Sequence, residues 1–319
     1  SVLKCSYLLP FLNDHIPRAQ FCQMFYTYVS NNRLTFSGFD SIFSRVRKES
    51  SVNSMFFITG ATGGLGKAFA AECASRGLDL FLTDLREEDL AMLAQGLERS
   101  YGISVLYYAA NLTEADSRAG MFDRIRSEAW KFRGLLNVAG LDYEGLFYER
   151  SPEEISAIVR LNIEATLIVT HTLLDFRDPA IPFRIVNVSS LAAFFSMPVK
   201  ATYAASKRFL LDFSLALRNE LREQNVTVTA LCPAGLPTTA GCIDAIEAQG
   251  IMGQLTTEDI GKVAHETIEA ALRGRAVVIP GFLNQVIKWL GGLVPPILIA
   301  ELVGTRWRAA HQRSTQNGA

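Results

Sequence analysis

Tyr203 and Lys207 are the two residues whose types and spacing speak most directly of chemistry. Four positions apart, they share one helix face within reach of each other. A tyrosine ordinarily titrates near pH ~10, too high for acid/base work at neutral pH; a neighbouring ammonium favours the phenolate and brings that value down. The lysine is also suited to hold a ribose hydroxyl. Ser190, thirteen residues before Tyr203 and at the carboxyl end of an apolar run, is placed to hydrogen-bond a substrate carbonyl beside the phenol. Together they read as proton transfer at a substrate oxygen.

A second constellation supplies an anion site. Phe56 to Gly66 reads FFITGATGGLG: an apolar run ends at Thr59, glycines follow at 60, 64 and 66, and a helix-compatible stretch continues to Gly77. The glycines allow backbone angles that a Cβ blocks and let a phosphate approach closely. The N–H groups at the helix start, with the dipole behind them, suit a pyrophosphate. Thr59, Gly60, Thr62, Gly64, Leu65 and Gly66 are therefore candidate cofactor-binding residues. Asp84, at the tip of the next strand about 20 positions on, is placed to accept both ribose hydroxyls of an adenosine. A 2′-phosphate there meets like charge, so Asp84 predicts NAD over NADP, unless Arg86 swings toward the phosphate. Asn111 and Leu112 follow the third strand, where an adenine ring would lie.

These residues need a scaffold, and the chain offers strands and helices in alternation. Strands are expected at Leu78–Thr83, Ile103–Tyr108, Leu135–Val138, Arg184–Val188 and Ala276–Ile279. Helices are expected at Glu87–Arg99, Glu114–Lys131, Ser151–Leu174, Tyr203 to about Leu221, and Thr256–Arg273. The pattern predicts an α/β fold, a doubly wound parallel sheet with the cofactor across the carboxyl ends of its strands. Asn162 falls inside the long helix opened by Ser151, Pro152, Glu153 and Glu154. On residue type alone it reads as a tolerated, exposed asparagine.

With these residues in place, the chain resembles the short-chain dehydrogenase/reductase superfamily over Met55 to Pro280, hydroxysteroid and 3-oxoacyl reductases in particular. Thr59, Gly60, Gly64 and Gly66 match its TGxxxGxG fingerprint, and Asn137, Val138, Ala139 and Gly140 match its NNAG stretch. The resemblance implies a Rossmann-type seven-stranded sheet and catalytic roles for Asn162, Ser190, Tyr203 and Lys207, with Asn162 a structural member of a proton relay. It adds Asn137, Ala139, Gly140, Pro233 and Thr238 to the cofactor-binding set, and a homodimer or homotetramer as the assembly. Two positions depart from the pattern: Val138 replaces the second asparagine of NNAG, and Ala234 stands where glycine usually follows the proline.

Composition bounds the rest. The chain has 319 residues, 49% hydrophobic and 20% charged, enough for one large core and too apolar for disorder. A formal charge of −1 argues against nucleic-acid binding by the chain as a whole. The five cysteines, Cys5, Cys22, Cys73, Cys232 and Cys242, are odd in number and lack a CxxC pair, which suggests small buried residues of a reducing compartment without disulfides or metal. Neither a secretory leader nor about 18 uninterrupted apolar residues is seen, so a cytoplasmic protein is expected. Residues 1–54 read as an extension packed on the domain, or as a lid or dimerisation arm; residues 55–280 form the NAD-binding domain.

Residues 281–319 form an amphipathic, basic helical extension. From Arg273 onward there are six Lys or Arg against one acid, Glu301, and Phe282, Val286, Trp289, Leu290 and Leu293 recur at helical spacing. Such helices suit an anionic membrane surface, or else close the pocket or form a dimer interface. The loops Leu141–Tyr148, Leu191–Lys200 and Leu236–Leu255 carry Leu141, Tyr143, Leu146, Phe147, Phe194, Phe195, Met197, Ile243, Ile246, Ile251 and Met252. They read either as the lining for a hydrophobic alcohol or ketone, of steroid or fatty-acyl type, or as core. The function expected is an NAD-dependent oxidoreductase; an idle NAD sensor or scaffold, and an epimerase or lyase, are the alternatives.

Overall fold

A computed structural model describes residues 54–238, 242, 243, 246, 247, 250–301 and 304, with the backbone alone at 251 and 252. The N-terminal extension and most of the last eighteen residues fall outside the described residues. Strands β1 (Met55–Thr59), β2 (Leu80–Asp84), β3 (Val105–Ala109), β4 (Phe132–Asn137), β5 (Phe183–Val188), β6 (Val226–Leu231) and β7 (Val277–Val278) form one seven-stranded sheet in the order β3-β2-β1-β4-β5-β6-β7. Every pairing is parallel. The order reverses between β1 and β4, where the two halves splay and leave a crevice beyond the strand ends.

Parallel strands covered on both faces must be apolar throughout, and β1 is buried at all five positions. One face packs under α1 (Gly64–Ser75), α2 (Glu87–Tyr101) and α8 (Ile260–Leu272) through Phe56, Ile58, Phe69, Leu90 and Val263. The other packs under α3 (Ala115–Ser127) and α5 (Thr166–Leu173), where Phe57 stacks on Phe81 at 4.9 Å and meets Phe132 edge-on at 5.6 Å. Gly134 leaves room for the Phe56 ring, which a Cβ at that position would strike. Cys73 and Cys232 are buried and their thiols are pushed up to about 12 by burial; Cys242 is half-buried.

The long helix expected over 151–174 is present but not uniform. Ser151 and Glu154 form a capping box with Pro152 at the first turn, so α4 (Pro152–Ile158) starts where its signature places it. A π-helical segment, Val159–Ala165, then intervenes before α5. One extra residue in a turn re-aims side chains, and such segments concentrate at functional positions. The run 152–176 is long and apolar enough to cross a bilayer by length and composition, yet Ala165, Val169 and Leu173 pack against the sheet.

Further helices are α6 (Ala201–Glu220), α7 (Ile251–Thr256) and α9 (Phe282–Gly291), and residues 296–301 are helical as well. The helix expected from Thr256 begins instead at Ile260, because Asp259 caps it by accepting from Lys262 N at 2.8 Å and an extended Thr257 separates it from α7. The last strand shrinks to two residues, a short edge with one neighbour.

Candidate active site

The glycine turn after β1 forms one wall of a cleft of about 620 Å³ at the switch point. Gly60 adopts φ +62, and a Cβ there would lie 2.8 Å from the Ala139 backbone; a Cβ on Gly66 would fall on the Gly60 carbonyl, and one on Gly64 would press against Thr238. Helix α1 starts without a side-chain cap and without an acid in its first turn, leaving its positive end to an anion. A cradle that any Cβ would fill, next to that helix end, fits a pyrophosphate.

Of the sequence-predicted cofactor residues, the cleft collects Gly60, Thr62, Gly64, Leu65, Gly66, Asp84, Asn111, Leu112, Ala139, Gly140 and Thr238. Asp84 also does something the sequence did not suggest. Its Oδ2 accepts from Thr62 N at 2.9 Å and Thr62 Oγ1 at 2.7 Å, and its Oδ1 from Leu85 N at 2.8 Å, so it ties the tip of β2 to the glycine turn. Arg86, on the cleft rim, is exposed and pairs with Asp89 in the first turn of α2. The Asn111 side chain is engaged within its own turn, accepting from Thr113 N and Oγ1 and donating to Glu114.

Five of the predicted cofactor residues lie outside the cleft's lining: Tyr203 and Lys207, which stand with the chemistry beside it, and three that hold strand ends. Thr59 Oγ1 accepts from Val138 N at 3.0 Å and Ala139 N at 3.1 Å, clipping the end of β1 to β4. Asn137 donates inward to Thr170 Oγ1 and Asn187 Oδ1, bracing the central strands. The Pro233 carbonyl accepts from Leu191 N at 2.7 Å and tethers the end of β6 to the loop after β5.

The four residues assigned to chemistry converge beside this cleft. Asn162 is fully buried and far from the exposed asparagine its type suggests: the π turn aims its amide so that Oδ1 accepts from Leu141 N at 2.8 Å and Nδ2 donates to Leu141 O and Ser206 Oγ, both at 3.0 Å. Ser190 follows β5 in extended backbone, accepts from Ala192 N at 3.1 Å and donates to Pro233 O at 3.5 Å, and its hydroxyl favours the Tyr203 phenolate. Helix α6 carries Tyr203 and Lys207 on one face, the Lys207 ammonium 5.6 Å from the centre of the Tyr203 ring. Lys207 Nζ donates to Val188 O at 2.9 Å. A Cβ on Gly140 would lie 3.2 Å from Asn162 Oδ1 and 3.3 Å from Lys207 Nζ, so Gly140 is the seam between cleft and chemistry.

The electrostatics differ from the sequence expectation in one respect. Lys207 does not draw the Tyr203 phenol down; burial pushes it above its ordinary value, the Asp142 carboxylate adds to the rise, and the Ser190 hydrogen bond opposes it. The reason is geometric: the ammonium lies over the ring and is bonded to a carbonyl, not to the phenolic oxygen. Burial lowers Lys207 from 10.5 to about 8, with Asp142 opposing. The two groups therefore move toward a neutral pair.

Sequence reasoning missed several supports. Arg118, buried on the apolar side of α3, donates to Leu112 O at 2.6 Å and pairs with Glu164 at 2.8 Å, bracing the predicted adenine loop against the π segment. An arginine in register with Met121, Phe122 and Ile125 was the available signal. Lys200, the residue before α6, bonds Asp142 at 2.7 Å and lies 5.6 Å from the Tyr203 ring centre. Among the expected apolar lining, Phe147 is exposed, while Phe194 lies 5.5 Å from Lys288 and Phe195 abuts Gly291, both taken up by α9. Much of the lining expected from 236–255 lies outside the described residues.

Comparison with known proteins agrees with this architecture. Residues 54–242 match the family model described as short chain dehydrogenase. A very-long-chain 3-oxoacyl-CoA reductase of Laccaria bicolor is 35% identical over 178 residues, covering 54% of this chain and 52% of the relative. The human 17-beta-hydroxysteroid dehydrogenase type 3 is 28% identical over 254 residues, covering 75% of this chain and 77% of that protein. The chain thus spans about half the length of the fungal relative. A short-chain dehydrogenase from Sphingobium yanoikuyae in complex with NADPH superposes with a TM-score of 0.62 at 26% identity, over 76% of this chain and 96% of the other. A family match over more than half the residues, on a sheet of the expected order, places this chain in the short-chain dehydrogenase/reductase superfamily of nicotinamide-dependent oxidoreductases.

Proposed function

We propose that the chain moves hydride between NAD(H) and the oxygen-bearing carbon of a sizeable apolar alcohol or ketone. The observation that carries the reading is the seam at Gly140, where the nucleotide cleft meets Asn162 and Lys207 within van der Waals reach. When bound, the nicotinamide supplies the hydride acceptor or donor. In oxidation, Tyr203 takes the proton from the substrate hydroxyl; in reduction it returns one to the carbonyl oxygen. Ser190, whose hydroxyl favours the phenolate of Tyr203, holds that oxygen in place. Lys207 holds the nicotinamide ribose, and Asn162 locks the loop at Leu141 and links it through Ser206 to α6.

The Asp84 carboxylate at the rim supports NAD, since a 2′-phosphate would sit against a negative charge. The relatives named for 3-oxoacyl-CoA and hydroxysteroid substrates support an apolar substrate class. An idle sensor has no physical need for a lysine buried beside a tyrosine at this seam. The π segment, α5 and α6 carry exposed Val159, Ile168, Phe209 and Leu215, which support a homodimer or homotetramer. Phe282, Trp289, Leu293 and Ile297 are 82%, 63%, 67% and 71% exposed, and with the basic surround they support peripheral contact with an anionic membrane on the cytoplasmic side.

The functional reading is tested by following reduced-nicotinamide absorbance with hydroxysteroids, long-chain alcohols and 3-hydroxyacyl thioesters, each with NAD and with NADP. Turnover of one class with NAD is expected, and silence of the whole panel in a chain that binds NAD would overturn the reading. Co-sedimentation with phosphatidylserine vesicles at low salt tests the membrane contact, which fails if the protein stays in the supernatant.

A further inference from the structure

The loop after β4 is held at both ends. Leu141 is clamped by the Asn162 amide through its N–H and its carbonyl, and Gly145 N donates to Val199 O at 2.8 Å, just before α6. Between these anchors, Asp142 and Glu144 reach the same ammonium, that of Lys200, at 2.7 and 3.4 Å. The Lys200 side chain is only 12% exposed, and its nitrogen lies 5.6 Å from the centre of the Tyr203 ring, the same distance as Lys207. The Tyr203 ring centre therefore has two ammonium groups 5.6 Å away, one hydrogen-bonded to a backbone carbonyl and the other neutralised by two carboxylates.

We propose that Asp142 and Lys200 are a positioning pair for Tyr203: their ion pair docks the β4–α4 loop on the first turn of α6 and sets the net charge beside the phenol. The groups facing Tyr203 from the surrounding elements are Asp142 on the loop, Ser190 after β5, Lys200 just before α6, Lys207 on α6 and Cys242 after β6, with Glu144 reaching Lys200 behind Asp142. Of these, Asp142 is the carboxylate that raises Tyr203, and it also works against the lowering of Lys207. Its effect on the phenol depends on how completely Lys200 cancels it. A surface ion pair contributes little on its own; here the Asp142 side chain is 40% exposed and Tyr203 half-buried, but the ammonium between them is largely withdrawn from water and adjoins the phenol ring, so the pair is only partly screened. Neither residue touches a reacting atom; both act through Tyr203.

This inference rests on the functional reading above only in giving the phenol a task. Its test reads the phenol directly. The chain is labelled with ¹³Cζ-tyrosine, the Tyr203 resonance is assigned by its absence in Tyr203→Phe, and pH titrations are recorded with saturating NAD. Asp142→Asn removes the carboxylate and leaves the cation, so the resonance begins to move about one pH unit lower than in the wild type. Lys200→Met uncovers Asp142, and the onset rises by about one unit. Lys200→Arg keeps the charge and the wild-type onset, and the double variant Asp142→Asn/Lys200→Met falls between the two single ones. Shifts of the same sign in both single variants, or no shift in either, would overturn the proposal, since loss of a merely structural latch has no sign. Failure to bind NAD at all would count instead against the functional reading.

Discussion

Lys207→Met should change the pH dependence of stability in a direction opposite to its effect on activity. The folded-state value of Lys207 is depressed from 10.5 to about 8, chiefly by burial. Between those values the unfolded chain binds more protons than the folded one, so stability rises with pH across the window. The penalty is fully present below the folded value and vanishes above the unfolded one. Its ceiling, at 1.36 kcal/mol per unit, is about 3 kcal/mol, and about 1.3 kcal/mol of it returns between pH ~7 and ~9. The variant lacks this component. Its loss of the Lys207 hydrogen bond to Val188 O is the same at every pH and cancels from the comparison. Urea titrations of both proteins at three pH values in that range read the difference. The wild type should gain about 1 kcal/mol on the variant, while the variant turns over no substrate. Parallel curves, or a wild type that loses ground as pH rises, would refute the claim that Lys207 is held in a desolvated site.

Four further substitutions separate the elements of the site. Tyr203→Phe removes the only group proposed to exchange the proton and should lower kcat about 10³-fold while NAD affinity, read by fluorescence titration, stays within a few-fold. Asp84→Asn removes the charge that opposes a 2′-phosphate, so the ratio of kcat/KM for NADP over NAD should rise about tenfold. Asn162→Ala strands the Leu141 N–H and carbonyl and takes a donor from the Ser206 hydroxyl, which keeps its own bond to Tyr203 O, and thermal or urea unfolding should show a loss of about 3 kcal/mol. Gly66→Ala drives a methyl into the Gly60 carbonyl and should abolish NAD binding in calorimetry, leaving far-ultraviolet circular dichroism near that of the wild type.

The scaffold was legible because its signals are local. The β1 run, the glycine turn and the acid at the tip of β2 stand in chain order, and alternation of apolar runs with amphipathic stretches dictated a parallel sheet. The Ser151 capping box was readable for the same reason. The site's fine structure was not, because it depends on contacts between residues far apart in sequence. The π turn at Asn162 has no periodic signature, and its value lies in reaching Leu141 and Ser206, 21 and 44 residues away. The Lys200 and Asp142 pair is 58 residues apart. The direction of the Tyr203 shift was misread because spacing places the lysine near the ring but says nothing of where its proton is donated or how much water is excluded. Phe194 and Phe195 read as pocket lining or as core because their loop lies beyond the carboxyl end of β5; α9, from the far end of the chain, takes them up.

Hydride transfer itself is the central claim, and the most direct measurement is the fate of a label. NADH deuterated at C4 of the nicotinamide on the transferred face is incubated with the protein and the ketone form of whichever panel member is turned over, and the alcohol is analysed by mass spectrometry. The account predicts one deuterium at the carbinol carbon with the wild type and almost none with Tyr203→Phe. Alcohol formed without deuterium from either face, or label transferred equally well by the variant, would contradict it.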